Sequence, residues 1–166
     1  MNNQPRGLYA ADTTVSPEKS RAEIEAQLKR YSADRFGFSW DRKSGTARVE
    51  FTMGNSDFRL EIARPTAQHP RVRYADRYNR FPDAETIQKR IEQIERQRWR
   101  ALALFVKAAL EAVDAGAVSI EHLMLPYTIL PNDETLGQFA PQIKQALSGG
   151  RLVPLLIEQT DIGVIR

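Results

Sequence analysis

Between residues 83 and 115 the chain reads DAETIQKRIEQIERQRWRALALFVKAALEAVDA, followed by Gly116. Ile87, Ile91, Ile94, Leu102, Phe105, Ala109 and Val113 recur at helical steps, with one interruption at Arg98, a turn before Leu102. Side chains three and four apart stack along one side of a 3.6-residue period, so these residues share one face of a single long helix. Asp83 follows Phe81-Pro82 and can accept hydrogen bonds from the first free amides, while Gly116 suits the left-handed residue that ends many helices. At a rise of 1.5 Å per residue the rod is about 50 Å long, more than the diameter of a domain of this size. Its apolar half, 99–113, is expected in the core, and its charged half, 87–98, is expected to project or to pair with a partner helix. Charged neighbours such as Glu92 and Arg96 would support the exposed side.

The chain before this helix supplies something for it to pack on. Ser16-Pro17, or the capping-box spacing of Ser20 and Glu23, opens a first helix that carries Ile24, Leu28 and Tyr31 on one side and ends near residue 33. Three runs then alternate apolar and polar residues, as strands with one buried face do: Phe36, Phe38 and Trp40; Ala47, Val49, Phe51 and Met53; Phe58, Leu60 and Ile62. The connections at 42–45 and 54–56 are short and rich in turn residues, which predicts an antiparallel meander. Arg48, Glu50, Arg59 and Glu61 alternate in sign on its polar face, as cross-strand ion pairs on a wet surface would. Its apolar face needs a cover, for which the two helices are available.

Downstream, Ser119 caps a short helix to Met124, and residues 126–130 read as a short extended piece. Thr135 and Gln138 have capping-box spacing, and Pro141 interrupts a helix that resumes through Ile143 and Leu147 to Gly149-Gly150. A last apolar segment covers 152–157. A chain of 166 residues is enough for one domain with its own core. The expected class is α+β: a helix, a three-stranded antiparallel meander, the long helix packed on the sheet, and a helical C-terminal cap. Residues 1–15 are expected to form a flexible lead-in, 16–157 the domain, with 64–82 as its basic, aromatic connecting segment, and 158–166 a tail.

Charge is unevenly spread. Residues 64–107 carry eleven Lys/Arg against five Asp/Glu, whereas 108–166 carry three against seven. Within 64–81, RPTAQHPRVRYADRYNRF, five arginines meet one acid and are interleaved with Tyr74, Tyr78 and Phe81. A connection of this length is usually functional or unstructured. Arginines beside aromatics suit phosphate contact combined with base stacking, as in single-strand binding. Its bland alternative is a mobile linker with docked aromatics and solvated arginines. On the long helix, Lys89, Arg96, Arg100 and Lys107 fall on one face and could extend a basic strip.

Other chemistry is sparsely represented. The absence of cysteine removes disulfides, thiolate nucleophiles and cysteine-bearing metal sites. His69 and His122 lack a second ligand at metal spacing, and Gly149-Gly150 closes a helix rather than opening one, so no phosphate loop is present. Asn132-Asp133-Glu134 is the densest acidic group; a metal-dependent nuclease would need it to converge with carboxylates such as Glu50, Asp57 and Glu61. No enzymatic activity, metal or cofactor is expected. The longest wholly apolar run, 101–106, is too short for a membrane span or a signal core, so a cytoplasmic location without a membrane partner is expected.

Four pieces, in order, carry a resemblance: Ser20-Arg21-x-Glu23-Ile24 running to Tyr31, Arg98-Trp99-Arg100-Ala101-Leu102, Lys107 to Val113, and Leu130-Pro131-Asn132-x-x-Thr135-Leu136-Gly137. Together they resemble short proteins encoded by bacteriophages and prophages, over most of the chain from 16 to about 156. That family brings no assigned activity to any residue, and its segment before the long helix tends to be apolar where this one is rich in arginine. The order helix, meander, helix is also similar to the double-stranded RNA-binding domain, although Asp83-Ala84-Glu85-Thr86 does not reproduce the lysines such domains place there. A meander followed by a long helix resembles the core of phage single-strand annealing proteins. The resulting expectation is a non-enzymatic phage-type accessory protein that binds nucleic acid, single-stranded in preference. Its contacts would be Arg71, Arg73, Tyr74, Arg77, Tyr78 and Arg80, with Lys89, Arg96 and Arg100 on the helix. The alternative is a protein-interaction module, either an inhibitor of a host enzyme or defence complex or a homodimer zipped along Ile87, Ile91 and Ile94.

Overall fold

A computed structural model describes residues 9–76 and 78–149. Helix α1, Pro17–Arg30, starts where the Ser16 hydroxyl accepts from the Lys19 amide at 3.2 Å, with proline in the first turn. Of the two possible starts, Ser16 is the cap. Ser20 lies inside the helix, fully buried. Strands β1 (Arg35–Asp41), β2 (Thr46–Met53) and β3 (Ser56–Ala63) form an antiparallel sheet in the order β1-β2-β3. The register pairs Trp40 with Ala47, Phe38 with Val49 and Val49 with Leu60, so the alternating apolar residues share one face. Gly45 and Gly54 turn the chain with φ of 64° and 59°, a region that side chains with a Cβ disfavour.

The long helix, here α3, is one unbroken element, Ala84–Asp114. Asp83 caps it by accepting from the Thr86 amide at 2.8 Å, and Gly116 follows with φ 70°. Its second half packs with α1 over the sheet: Ile24 and Leu28 meet Trp99, Ala103, Val106 and Leu110 in one core with Val49, Phe58 and Leu60. Each large side chain removed from water there contributes roughly 1.5–3 kcal/mol, which is why this half is fixed in place. The α+β architecture expected from the periodicities is the one observed.

Beyond α3, Ser119 caps α4 (Ile120–Met124), accepting from His122 N at 3.3 Å. The piece after it begins as a 3-10 turn, Leu125–Tyr127, and becomes extended only afterwards, where Thr128 bridges Phe58 and Ile129 N donates to Asp57 O at 2.8 Å. The chain thereby covers the open edge of β3. A second 3-10 turn, Leu136–Phe139, carries the Thr135/Gln138 capping box, and α5 (Ala140–Ser148) takes over at Pro141. The apolar segment 152–157, the tail 158–166 and Leu8 lie outside the described residues.

The first half of α3 differs from expectation. It does not stand free, because two stretches of the same chain lie along it. One is the lead-in. Gln93 donates to the carbonyls of Ala11 and Thr13, at 2.8 and 3.0 Å, and Gln97 donates to that of Tyr9 at 2.9 Å. The other is the connecting segment, which forms a short helix α2, Pro70–Arg73, packed on α3 with Val72 fully buried. Ile94 is consequently 5 % exposed, while Ile87 and Ile91 are half-buried. Of the three residues of the proposed seam, Ile94 is enclosed by its own chain, whereas Ile87 and Ile91 keep part of their surface in water. Arg98, the interruption in the apolar face, donates to the carbonyl of Ala63 at the end of β3.

Candidate nucleic-acid interface

The segment around α2 is held to α3 by the buried Val72, by polar contacts and by the ring of Tyr74. His69 caps α2, its Nδ1 lying 3.2 Å from the Arg71 amide, and its Nε2 lies 3.3 Å from the Arg98 guanidinium. Both ring nitrogens face donors. A neutral imidazole accepts at one nitrogen only, and protonation would remove that acceptor; burial first, then the charges of Arg98 and Arg71, lower the His69 pKa below its ordinary value. Arg90 reaches up from α3 to the carbonyls of Val72 and Tyr74, at 2.9 and 2.8 Å, and its guanidinium lies 3.8 Å from the centre of the Tyr74 ring. A cation over that face rigidifies the ring and leaves its other surface open.

The arginines here divide by partner. Arg71 donates to the Gln97 amide oxygen at 2.9 Å, and Arg73 to that of Gln68 at 2.5 Å; Arg90 and Arg98 donate to backbone carbonyls. Among the described residues none of these four is paired with a carboxylate, so a cluster of charge without an acidic partner there surrounds α2. Burial first, then the charge of Arg71, lower the Arg98 pKa from its ordinary value. Arg64 and Arg80, by contrast, face Glu95 at 3.6 Å and Asp76 at 3.1 Å. Hydrogen bonds from Arg80 and Tyr78 amides and the Arg80 side chain hold the Asp76 pKa below the usual carboxylate range.

Three aromatics stand out from the surface beside this cluster: Tyr74 57 %, Tyr78 63 % and Phe81 72 % exposed. Arg80 lies 5.2 Å from the Tyr78 ring centre. The bland alternative placed the aromatics on the domain and the arginines in water. Here Val72 is the fully buried residue of the segment, and Tyr74, Tyr78 and Phe81 each keep more than half of their surface exposed. Arg77 lies outside the described residues.

Lys89, Arg96 and Arg100 are not united with this cluster. They sit about a quarter to a third of a turn around α3 from Arg90, with Gln93 and the lead-in between. Lys89 pairs with Glu85 at 2.6 Å, Arg96 with Gln93 at 2.7 Å, and Arg100 with Glu23 of α1. The expected Glu92 pairing of Arg96 is absent; Glu92 accepts from Gln88 instead. Sequence reasoning missed Arg90 and Arg98, whose roles depend on carbonyls 16 to 35 residues away. The one legible signal was the gap that Arg98 leaves in the apolar periodicity.

The acidic residues considered for metal chemistry serve another purpose. Arg59, 6 % exposed, donates to Glu50 at 2.5 Å and to the side chain and carbonyl of Asp133 at 2.6 and 2.7 Å. The Arg59 hydrogen bond and charge hold the Asp133 pKa below its ordinary range. Glu50 and Arg59, with Arg48 and Glu61, are register partners, so the sign alternation does produce cross-strand pairs; in the first, Arg59 is buried while Glu50 stays in contact with water. Among the described residues, no group of three or more His, Asp or Glu side chains is arranged to hold a metal, and no helix is long and apolar enough to cross a membrane. Comparison of the chain with protein-family models, with curated proteins and with solved structures yields no match.

Proposed function

We propose that the protein binds nucleic acid, single-stranded in preference, as a non-enzymatic accessory protein of the kind bacteriophages encode. The observation that carries this reading is the carboxylate-free cluster of Arg71, Arg73, Arg90 and Arg98 beside the exposed rings of Tyr74, Tyr78 and Phe81. Uncompensated guanidinium groups gain most from phosphate, which they meet with paired hydrogen bonds, and exposed rings give unpaired bases a stacking surface. Single strands suit the arrangement because only they offer base faces to side chains that project from a surface. The phage setting rests on the resemblance in the four sequence pieces. The alternative, a partner helix along Ile87, Ile91 and Ile94, has less free surface to use because Ile94 is enclosed.

Labelled single- and double-stranded oligonucleotides, compared by fluorescence anisotropy for wild type, Arg73→Ala and Lys89→Ala, test the reading. Arg73 is exposed, and among the described residues its side chain hydrogen-bonds Gln68 alone, so alanine there should leave the fold intact. Affinity for single strands should fall several-fold with Arg73→Ala, alike for all sequences, and change less with Lys89→Ala. Equal affinity in wild type and Arg73→Ala would overturn the assignment of this cluster.

A further inference from the structure

Both tryptophans of the chain, Trp40 and Trp99, line one cleft of about 390 Å³ between the start of α1, the end of β1 and the middle of α3. Trp99 forms its floor, 4 % exposed, with Phe38 at 6.4 Å between ring centres and the Arg21 guanidinium 5.4 Å from the Trp99 ring. Trp40 is 45 % exposed, at the rim, on the edge strand of the sheet. A large half-exposed ring against an open cleft is a surface on which a flat ligand can stack.

Arg64 and Glu95 stand side by side on the opposite wall, their nearest atoms 3.6 Å apart, 46 % and 26 % exposed. That separation exceeds a hydrogen bond, and among the described residues neither side chain donates or accepts one elsewhere. The cleft therefore offers a guanidinium fork and a carboxylate that are only loosely paired with each other, next to stacking rings. A carboxylate only accepts and a guanidinium only donates. Guanine carries the complementary set on adjoining atoms of one plane. N1–H and N2–H face a carboxylate, and O6 with N7 faces an arginine. Adenine puts an acceptor where guanine has N1–H, and the pyrimidines lack the O6/N7 pair.

We infer that this cleft is a guanine subsite, in which the base stacks on Trp40 and is read by Arg64 and Glu95. It rests on the nucleic-acid reading and gives it a base preference: the arginines around α2 hold phosphate, and Arg64, at the start of the same segment, leads from them to the cleft. Sequence preference then comes from the Arg64/Glu95 wall, and sequence-independent affinity from the cluster around α2.

Because both tryptophans line the cleft, intrinsic fluorescence reports on it alone. Titration of the full chain with GMP, AMP, CMP and UMP, excited at a wavelength selective for tryptophan, should show saturable quenching by GMP at about tenfold lower concentration than by the others. Glu95→Ala should abolish that preference and Trp40→Ala the binding, with circular dichroism melting curves showing that both variants stay folded; Trp40→Phe, which keeps a stacking ring, should restore GMP binding measured by calorimetry. Absence of quenching by GMP, quenching indifferent to the base, or a preference that persists in Glu95→Ala would each overturn the subsite. Mononucleotides lack a phosphate chain, so the two readings fail separately. Oligonucleotide binding without GMP binding removes the cleft alone, whereas GMP binding without oligonucleotide binding removes the arginine cluster alone.

Discussion

At the scale of the residue, several side chains are specified by what they touch far along the chain. Arg59 belongs to an alternating strand pattern that predicts a surface ion pair, yet Asp133, 74 residues on, closes over it and takes it out of water. Arg59→Ala removes three hydrogen bonds whose carboxylate partners stay in contact with water, so it should destabilise by about 1–2 kcal/mol, read from urea unfolding. His69 gives a second test. Its folded pKa is depressed, so the unfolded chain binds its proton first, and the stability this ring contributes is full above about pH 6.5, the ordinary histidine value, and declines as pH falls below it. The thermal midpoint should drop between pH 7.5 and 5.5. His69→Asn keeps a side-chain acceptor for the Arg71 amide and removes the titration, so its midpoint should drop less over that interval.

At the scale of the element, much was readable because periodicity and capping act locally. Ser16, Asp83 and Ser119 each cap the helix their spacing announces, and strict alternation set the sheet register without knowledge of the rest. What escaped reading was the use of the charged half of α3. Gln93 and Gln97 look like solvated helix residues, and their partners lie 80 to 88 residues earlier. Helix α2 escaped as well, since four residues carry no period, and only Val72 marks its inner side. The proposed interface was therefore readable only as a segment, through Arg71, Arg73, Tyr74, Tyr78 and Arg80, and the packing of that segment around Arg90 and Arg98 was not. Gln97→Leu tests this element directly. It leaves the Tyr9 carbonyl and the Arg71 guanidinium without their amide partner, which should cost about 1–3 kcal/mol and speed hydrogen exchange at residues 10–15. Unchanged exchange there would mean that the lead-in is held by something else.

At the scale of the whole molecule, the sheet, α1 and the apolar half of α3 form a rigid base, and the two outer stretches are laid along the remaining half of the rod. The arrangement explains why the helix exceeds the core it serves: its first half is a rail for chain segments, with the basic, aromatic segment on one side. Part of the positive charge in the middle of the sequence, Arg71, Arg73 and Arg90, is thereby gathered beside the first half of that helix. The most direct measurement is the salt dependence of single-strand affinity, followed by anisotropy from about 50 to 200 mM salt. Each phosphate contact contributes about 0.7 to the slope of log affinity against log salt for single strands. Three or four contacts from the α2 cluster predict a slope of about −2 to −3, reduced by about 0.7 in Arg73→Ala. A slope near zero, or no binding at the lowest salt, would contradict the account.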